Sequence, residues 1–240
     1  MQSKAVWVLS TACIFALASA ADAQNSNVIT IPSRFSFGGD FAISQPKGEF
    51  AANVPNGYGF DLTGMFRIDP QGWFNIRADV GGVQYGHEHQ RVGFPTTGRV
   101  SLNLDTDNRI GFGGLGLQLQ MPDGWFRPYA NASFEVMNFR TESCLSGDDN
   151  SFETICNSNS SDWSRAGVFG GGVMIPFGKS IGALNLGARY HYGARATYLK
   201  KGDIIDNPGG SVTLNLRSSK TDLVLWQVGV SFVIPRTIRQ

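Results

Sequence analysis

The segment Phe126–Val136 reads F-R-P-Y-A-N-A-S-F-E-V, and two kinds of side chain alternate along its whole length. The even positions are apolar and consist of Phe126, Pro128, Ala130, Ala132, Phe134 and Val136. The odd positions are polar and consist of Arg127, Tyr129, Asn131, Ser133 and Glu135. Because successive side chains of a β-strand point to opposite faces, this pattern predicts a strand with one apolar and one polar face.

The same alternation recurs along the chain. It is regular in three more segments, which are Tyr58–Ile68, Leu184–Tyr192 and Val224–Ile234. It is less regular in four others, which are Arg34–Ile43, Phe74–Tyr85, Asn108–Gln120 and Trp163–Ile175. Two of these contain glycine pairs, Gly81-Gly82 and Gly113-Gly114, where we predict β-bulges. The pattern therefore predicts an all-β fold with eight strands. Each supplies the roughly 9–11 residues that a tilted strand needs to span a bilayer.

The composition argues against several other classes of protein. Of the 240 residues, 30 are glycine, 16% are charged and 12% are aromatic, and the net charge is +1. A nucleic-acid-binding surface needs an excess of basic residues, and a disordered chain is rich in charge and poor in aromatics. A helical bundle is disfavoured because each glycine weakens a helix by about 1 kcal/mol relative to alanine. We therefore expect no nucleic-acid partner.

The connections between these segments alternate in length. Three are short, namely Asp69–Gly72, Met121–Gly124 and Pro176–Gly182. Four are long and polar, namely Gln45–Asn56, His87–Asn108, Thr141–Asp162 and Ala194–Lys220. Transmembrane barrels sort their connections in this way, into short periplasmic turns and long external loops. We therefore predict an eight-stranded antiparallel up-and-down transmembrane β-barrel. The alternative is a soluble, lipocalin-like barrel, in which the apolar face points inward.

In a barrel that faces lipid, the apolar side chains point outward and the polar ones line the lumen. Strand parity then predicts a lumen charge network formed by Asp61, Arg67, Arg77, Asp79, Arg127, Glu135, Arg189 and His191. Isolated charges inside a barrel are costly, so we expect these residues to pair across strands. Because side chains fill the interior of a barrel of this size, no open channel is expected.

The short turns carry aromatic residues. D-P-Q-G-W-F at Asp69–Phe74 is repeated loosely as M-P-D-G-W-F at Met121–Phe126, and Pro176–Gly178 is a third, weaker copy. The aromatic residues beside the turns are predicted to form a girdle at one membrane interface: Trp73, Phe74, Trp125, Phe126 and Phe177. The alternative is three ordinary hydrophobic hairpin turns.

Two of the long connections contain further alternation. Every second residue is apolar in Val100–Leu104 and in Val212–Leu216. Either these residues form β-ribbons that rise above the bilayer, or they are loop residues that pack together.

Residues Met1–Ala23 are predicted to form a cleaved secretory signal peptide. Lys4 precedes the apolar run Ala5–Leu17, which is too short to span a membrane as a helix, and A-x-A cleavage sites follow. Cleavage after Ala23 leaves residues 24–240 as a single outer-membrane barrel domain, with the barrel at about residues 33–235. The alternative is an uncleaved anchor.

Two cysteines remain after the signal peptide is removed. They are Cys144 and Cys156, both in a polar stretch. An even pair of cysteines in an exported chain predicts a disulfide, and the alternative is two free thiols. The sequence contains no C-x-x-C motif, so redox or zinc chemistry has no support.

Taken together, these features resemble the small eight-stranded outer-membrane proteins of Gram-negative bacteria, the OmpA/OmpX-like β-barrel superfamily. The resemblance covers about Ser33–Pro235. It depends on the export signal, F-S-F-G-G-D-F at Phe35–Phe41, the Gly-Trp turns and V-G-V-S-F at Val228–Phe232. It implies an outer-membrane location, contact with membrane lipid and lipopolysaccharide, and assembly by the barrel-assembly machinery. The family commonly ends on an aromatic residue, whereas here Val233–Gln240 follows Phe232.

The sequence offers few candidates for chemistry. His87-Glu88-His89 is a weak metal motif, because a pair of histidines two positions apart in a polar loop is nonspecific, and we predict no metal and no cofactor. Some barrels of this class deacylate lipid A with a His-x-Ser pair. His191 lies near a strand end, but residue 193 is glycine, so the hydroxyl nucleophile is missing.

We therefore predict a non-enzymatic protein with a structural or surface-interaction role, whose external loops meet an extracellular ligand. One alternative is a narrow passage for small apolar molecules, opened by the glycine-rich strand Gly167–Gly172. A less supported alternative is a lipid A-modifying enzyme. The exposure of Phe60, Phe134 and Trp226 decides the architecture, because these side chains point outward in a membrane barrel and pack inside a soluble one.

Overall fold

The computed structural model describes residues 28–94, 97–147, 154–177, 181–207 and 211–239. Its elements in chain order are β1 (Val28–Pro46), α1 (Gly48–Ala51), β2 (Gly57–Arg67), β3 (Phe74–Phe94), β4 (Thr97–Gln120), β5 (Arg127–Gly147), β6 (Ile155–Phe177), β7 (Gly182–Gly193), β8 (Arg195–Tyr198), β9 (Ile204–Asp206), β10 (Val212–Leu214), β11 (Arg217–Lys220) and β12 (Leu223–Arg239). Within these ranges, no helix has the length and apolar character of one that crosses a membrane. The predicted signal peptide and its cleavage site lie outside the described residues.

Eight strands of the described ranges close into one antiparallel barrel, in the order β1-β12-β7-β6-β5-β4-β3-β2. Residues Pro32–Pro235 form the compact unit that holds this barrel. Two small sheets, β9 with β10 and β8 with β11, lie in the connection between β7 and β12. The predicted all-β, up-and-down barrel is confirmed.

The large apolar side chains of the barrel point outward. Phe60, Phe134 and Trp226 are 68%, 57% and 51% exposed, whereas the alternate residues of the same strands, such as Asp61 and Glu135, are buried. This arrangement inverts that of a soluble barrel, in which the apolar side chains would fill the interior. The lipocalin-like alternative therefore does not describe this protein.

The two glycine bulges predicted in β3 and β4 are wrong. The pairing of β3 with β4 runs without a break across both glycine pairs, and its two register shifts lie between Gln84 and Gly86 and between Gly93 and Phe94. The apolar pattern of β4 changes phase because Ile110 and Phe112 point into the barrel, where both are buried. Inward and outward residues therefore continue to alternate along β4, while the inward residues change from polar to apolar.

Apolar side chains close the lumen on the side of the long connections. Phe50, the buried residue of α1, meets the rings of Phe139 and Tyr198 edge-on, with centroids 5.8 and 5.1 Å apart. The Tyr85 hydroxyl donates a hydrogen bond of 2.8 Å to the carbonyl of Leu199. We call this cluster the apolar cap; its other large members are Ile110, Phe112, Met137, Leu223 and Leu225.

Four strands continue past the barrel on the same side. β3 to β6 have 21, 24, 21 and 23 residues, whereas β2 and β7 have 11 and 12. Their continuations, residues 86–94, 97–108, 141–147 and 155–160, form a surface that we call the external sheet. Two of the long connections are thus largely strand. Val100–Leu104 belongs to a β-ribbon, while Val212 and Leu214 lie in the separate hairpin of β9 and β10.

A disulfide joins two strands of the external sheet. Cys144 and Cys156 are bonded, as the sequence predicted. They are direct register partners on β5 and β6, one pair from the point where the described part of this ribbon ends. The bond restricts separation of the two strands and reduces the conformational freedom of the unfolded chain.

Asp69 organises the turn between β2 and β3. Its carboxylate accepts hydrogen bonds from the backbone amides of Gly72, Trp73 and Phe74 at 2.8, 3.0 and 2.6 Å. Gly72 has a φ of 88°, a left-handed conformation that glycine adopts without steric cost. Desolvation acts to raise the pKa of Asp69, but the amide hydrogen bonds outweigh it and hold the pKa below the ordinary 3.8.

We predict that Asp69→Asn lowers the free energy of unfolding at neutral pH, because an amide oxygen is a weaker acceptor than a carboxylate. The folded-state pKa is depressed, so the carboxylate stabilises the protein above pH 3.8, and this stabilisation is lost as the pH falls through the lowered folded-state pKa. Urea titration in detergent micelles at several pH values measures the difference. Asp123→Asn, at the exposed aspartate of the turn between β4 and β5, is the matched control. Equal losses in both variants contradict the prediction.

Candidate functional site: the barrel lumen and the external groove

The middle of the lumen holds a layer of charged side chains. Six of the eight residues predicted for the lumen charge network lie there, each at most 4% exposed: Asp61, Arg77, Asp79, Glu135, Arg189 and His191. They come from β2, β3, β5 and β7, and they reach the lumen because they occupy the inward parity of their strands. We call these six residues the buried charge layer.

Arg77 is bound on several sides within this layer. Its Nε donates to both carboxylate oxygens of Asp79, at 2.8 and 3.0 Å. Its Nη1 donates to Gln118 at 2.9 Å, and its Nη2 donates to Thr63 at 3.1 Å. The guanidinium thus ties its own strand to the strands on either side, β2 and β4.

Arg189 connects distant walls of the barrel. From β7, its Nη2 donates to Ser133 at 2.8 Å and to Asp79 at 3.1 Å. It also forms an ion pair with Glu135, and its Nη1 lies 3.6 Å from an oxygen of Asp61. β7 and β3 lie on opposite sides of the ring, four strands apart in either direction. This guanidinium therefore spans the lumen and links β7 to β2, β3 and β5.

His191 is enclosed where the charge layer meets the apolar cap. Its Nδ1 lies 3.4 Å from Glu135 Oε2, and its ring meets the Phe112 ring at a centroid distance of 5.7 Å. The residue is fully buried. It faces the interior and is shielded from the surface that would meet lipid.

Arg67 and Arg127 do not join the charge layer, although both were predicted in it. They lie where β2 ends and β5 begins, next to the short turns, and each is partly exposed. Arg127 Nε donates to the Gly124 carbonyl at 3.1 Å. Both line a cavity of about 50 Å³ at the turn end of the lumen. Strand parity gives the face on which a residue lies but not its depth, so these two were misplaced along the barrel axis.

Several polar residues that form hydrogen bonds in the lumen were not included in the predicted charge network. The Tyr129 hydroxyl donates to Asn185 at 2.9 Å, and Asn185 donates to Asp40 at 2.8 Å. Gln227 donates a hydrogen bond to Asp61. All of them sit on the inward parity of their strands, and that parity is the signal that would have found them.

Glycines of β6 make room for the large lumen side chains. A Cβ at Gly170 would lie 2.6 Å from the Arg189 Cγ, and one at Gly172 would lie 2.7 Å from the Tyr129 hydroxyl. This strand pairs continuously with β5 and β7 across its glycines. The sequence suggested a passage for small apolar molecules beside this strand, but Arg189 and Tyr129 occupy the space.

The aromatic residues predicted at one interface all lie at the short-turn end. Their exposure ranges from 44% to 82%, and they are Trp73, Phe74, Trp125, Phe126 and Phe177. Phe177 also meets the ring of Phe232 at a centroid distance of 6.3 Å. The positions suit an aromatic girdle, a role that stays a prediction.

His87-Glu88-His89 does not form a convergent set of ligands. His87 and His89 lie on the outer face of the external sheet, where they contact Asp107 at 2.8 Å and Asp105 at 2.6 Å. Glu88 lies on the opposite face and accepts a backbone amide of the β8–β9 connection at 3.1 Å. In the part of the chain that the structure describes, no three His, Cys, Asp or Glu side chains are grouped to hold a metal ion.

A groove lies between the inner face of the external sheet and the hairpin of β9 and β10. Its volume is about 290 Å³, near the lower end of the range for small-molecule sites. Apolar side chains line part of it, among them Leu104, Leu145, Ile155, Ile204 and Val212. Polar groups line the rest, where Thr106 and Asn159 hydrogen-bond to Ser143 at 2.7 and 2.6 Å. We call it the external groove.

A buried aspartate anchors the connection that carries this hairpin. Asp203 is 3% exposed, pairs with Arg217 at 3.1 Å and accepts the Lys200 amide at 3.2 Å. Its hydrogen bond and charge raise the pKa of the Arg217 guanidinium. The hairpin that closes the external groove is thereby fixed at its base.

This architecture defines the class of protein. Eight antiparallel strands in an up-and-down ring, with an apolar exterior and a charged interior, make the fold of the small eight-stranded outer-membrane β-barrels. The eight-stranded up-and-down barrel fold that the sequence resemblance implied is confirmed.

Comparison with solved structures found proteins to which this chain is similar. Neisserial surface protein A matches with 14% sequence identity and a TM-score of 0.50, over 85% of this chain and 99% of that one. Ail of Yersinia pestis and OprG of Pseudomonas aeruginosa match at 11% and 15% identity, each with a TM-score of 0.44, over 85% of this chain and 100% and 97% of theirs. No protein-family model and no curated protein matches the chain. At these identities the likeness concerns the fold alone.

We predict that Arg189→Met destabilises the barrel by about 3–5 kcal/mol, because it leaves buried carboxylates without their shared cation. Urea titration with electrophoretic detection of the folded form measures the loss. Arg127→Met is the matched control and should change stability by no more than about 0.5 kcal/mol, since Arg127 lies at the open turn end. Adding Glu135→Gln to Arg189→Met should restore part of the loss. Equal effects of the two arginine substitutions contradict the cross-lumen role.

Proposed function

We propose that the protein is an outer-membrane barrel with a non-enzymatic, structural or surface-interaction role, and that it meets its partners through the external sheet and groove. The observation that carries this proposal is that side chains fill the lumen of the barrel. The apolar cap and the buried charge layer occupy the lumen, so the surfaces left for interaction are the outer wall and the external end.

The outer wall supports a location in a membrane. Strands on all sides of the ring carry large apolar residues that are 53–67% exposed: Leu62, Val80, Leu115, Phe134, Phe169 and Val228. Leaving such a surface in water is unfavourable by about 25 cal/mol per Å². Closure also pairs the backbone groups of every barrel strand, which lipid requires. Neisserial surface protein A, whose name places it at a cell surface, shares this fold.

The lumen argues against the channel alternative. Arg189 crosses it in the middle, and Phe50, Phe139 and Tyr198 pack against one another above it. The glycine-rich part of β6 that suggested a passage is filled by side chains. A small apolar molecule entering the barrel would have to displace paired charges, which is costly in a poorly hydrated interior.

The position of His191 argues against lipid A modification. A lipid substrate would approach from the outer wall, whereas the imidazole is fully buried between Glu135 and Phe112. A general base must come within hydrogen-bond reach of the group that it activates. The neighbouring position 193 also lacks a hydroxyl.

The external end supports a binding role. The disulfide fixes two strands of the external sheet, and the external groove combines apolar walls with hydroxyl and amide groups. Such a mixture gives both contact area and orientation to a ligand. We extend the proposal to contact with lipopolysaccharide, to delivery by the barrel-assembly machinery, and to a mature domain of residues 24–240 after removal of 1–23.

Site-specific labelling in intact cells tests this placement. Asp206→Cys, at the groove, should react with a thiol reagent too large to cross the outer membrane. The matched Asp123→Cys, in a short turn, should react only after that membrane is permeabilised. The protein should also change its electrophoretic mobility on heating. Recovery as a soluble periplasmic protein, or the opposite labelling pattern, overturns the proposal.

Planar bilayer recording tests the absence of a channel. We expect the inserted protein to pass no current above that of a blank membrane, and liposomes that contain it to take up a small apolar dye no faster than empty ones, because the lumen is filled. Insertion is verified in the same vesicles by the heat-dependent shift in mobility. Steady unitary currents or accelerated dye uptake would show that the barrel conducts.

A further inference from the structure

Three outward glycines adjoin one another on β3 and β4. Gly82 is the register partner of Gly111, and Gly113 follows on the same face of β4. A Cβ at Gly111 would have no heavy atom within 4 Å, and one at Gly113 would approach nothing nearer than 3.4 Å. A Cβ at the inward Gly114, in contrast, would lie 2.1 Å from the carbonyl oxygen of Phe134. Close packing therefore explains glycine at 114 but not at 111 or 113.

These glycines leave a shallow trough in the apolar wall. Around them stand Val80, Leu115 and Val136, which are 60%, 67% and 40% exposed. In a membrane, a trough with an apolar rim fits an acyl chain, which gains more contact there than against a flat wall. We call Gly82, Gly111 and Gly113 the glycine trough.

Two arginines stand at the external end of the glycine trough. Arg109 follows Gly111 on the outward face of β4, and its direct register partner is Arg140 of β5. Their side chains are 55% and 51% exposed. Each arginine donates a hydrogen bond from one amino group to a carboxylate, Arg109 to Asp107 at 2.5 Å and Arg140 to Glu142 at 3.0 Å. Among the described residues neither guanidinium has a second partner, so most of their N–H donors are available.

The arrangement of the arginines indicates an anion. Like charges directly opposite each other in a sheet are destabilising. Asp107 and Glu142 offset part of the repulsion between the two arginines, and a phosphate between the guanidiniums would offset more of it. A third arginine, Arg165 of β6, lies on the same wall, is exposed and has no side-chain partner among the described residues. On β1 and β3, the outward residues just past the apolar belt are the neutral Gln45 and Gln84, and the neutral Asn56 precedes β2. Arg109, Arg140 and Arg165 thus lie on three neighbouring strands of the barrel, next to the trough.

We propose that the glycine trough and the Arg109–Arg140 pair bind a phosphate-bearing lipid of the external leaflet. One acyl chain lies in the trough, and the phosphate lies between the two guanidiniums, whose forked donors match phosphate oxygens. The site rests on the proposed function, because the wall must face the outer membrane. Beyond general contact between the outer wall and the membrane, the site would bind one lipid at a defined position.

Lipid binding to the purified, folded protein tests this site. The protein in nonionic detergent is mixed with diphosphoryl lipid A, or with the same lipid after removal of its phosphates, and native mass spectrometry counts the bound lipid. We expect the phosphorylated lipid to bind more tightly. The double substitution Arg109→Gln and Arg140→Gln should weaken its binding by about tenfold, through loss of two charge-assisted contacts. Gly111→Leu should weaken the binding of both lipids by filling the trough.

Two matched controls isolate the site. Arg34→Gln removes an exposed arginine from β1, and Gly64→Leu adds a side chain at an outward glycine of β2 whose Cβ also meets nothing within 4 Å. Both should leave lipid binding unchanged. Equal binding of the two lipids by the unsubstituted protein, or unchanged binding after the double arginine substitution, overturns the proposal. Heat-dependent mobility, recorded on every sample, separates this failure from a barrel that never formed.

Discussion

Pairing of backbone groups around the closed ring is the constraint on which the rest of this structure depends. A strand surrounded by lipid has no water to satisfy its amides and carbonyls, so the sheet can have no free edge. Closure at eight strands leaves a lumen only wide enough for side chains. Each barrel residue therefore faces either the outer wall or a narrow interior, and the chemistry that it carries must suit one of these two environments.

The interior meets this constraint with long side chains that reach across the lumen. Charges taken out of water are costly unless they are paired, and a partner on the same strand cannot supply all of the pairing. Arg189 pairs through Nη2 with Asp79, Ser133 and Glu135 on other strands, while its Nε and Nη1 have no hydrogen-bond partner among the described residues. The space for it comes from Gly170, where a Cβ would collide with the arginine stem. Inward glycines and large cross-lumen side chains are thus two parts of one packing solution.

The outer wall and the ring were predictable from the sequence, because the outward side chains are apolar along the whole length of most barrel strands. Phe60, Phe134 and Trp226 follow a two-residue period for that reason. The interior changes from polar to apolar along the barrel axis, and the sequence predicted its residues less completely. Ile110 and Phe112 are apolar but inward, so they broke the expected phase and suggested a bulge that does not exist. Arg67 and Arg127 have the right parity but lie at the turn end. The pairing of Asp79 with Arg189 joins residues 110 positions apart, and no local pattern encodes it.

The change of lining inside the lumen also explains how the external end is held. Below the cap the interior is polar and belongs to the barrel alone, whereas the apolar cap receives Phe50 and Tyr198 from the long connections. These connections therefore fold onto the barrel as onto the core of a soluble protein, with burial of aromatic side chains as the driving force. Asp203 then fixes the base of the hairpin that closes the external groove. A groove whose walls are held before a ligand arrives loses less conformational entropy on binding. The apolar cap therefore fills the external end of the lumen and at the same time supports the connections that carry the external groove.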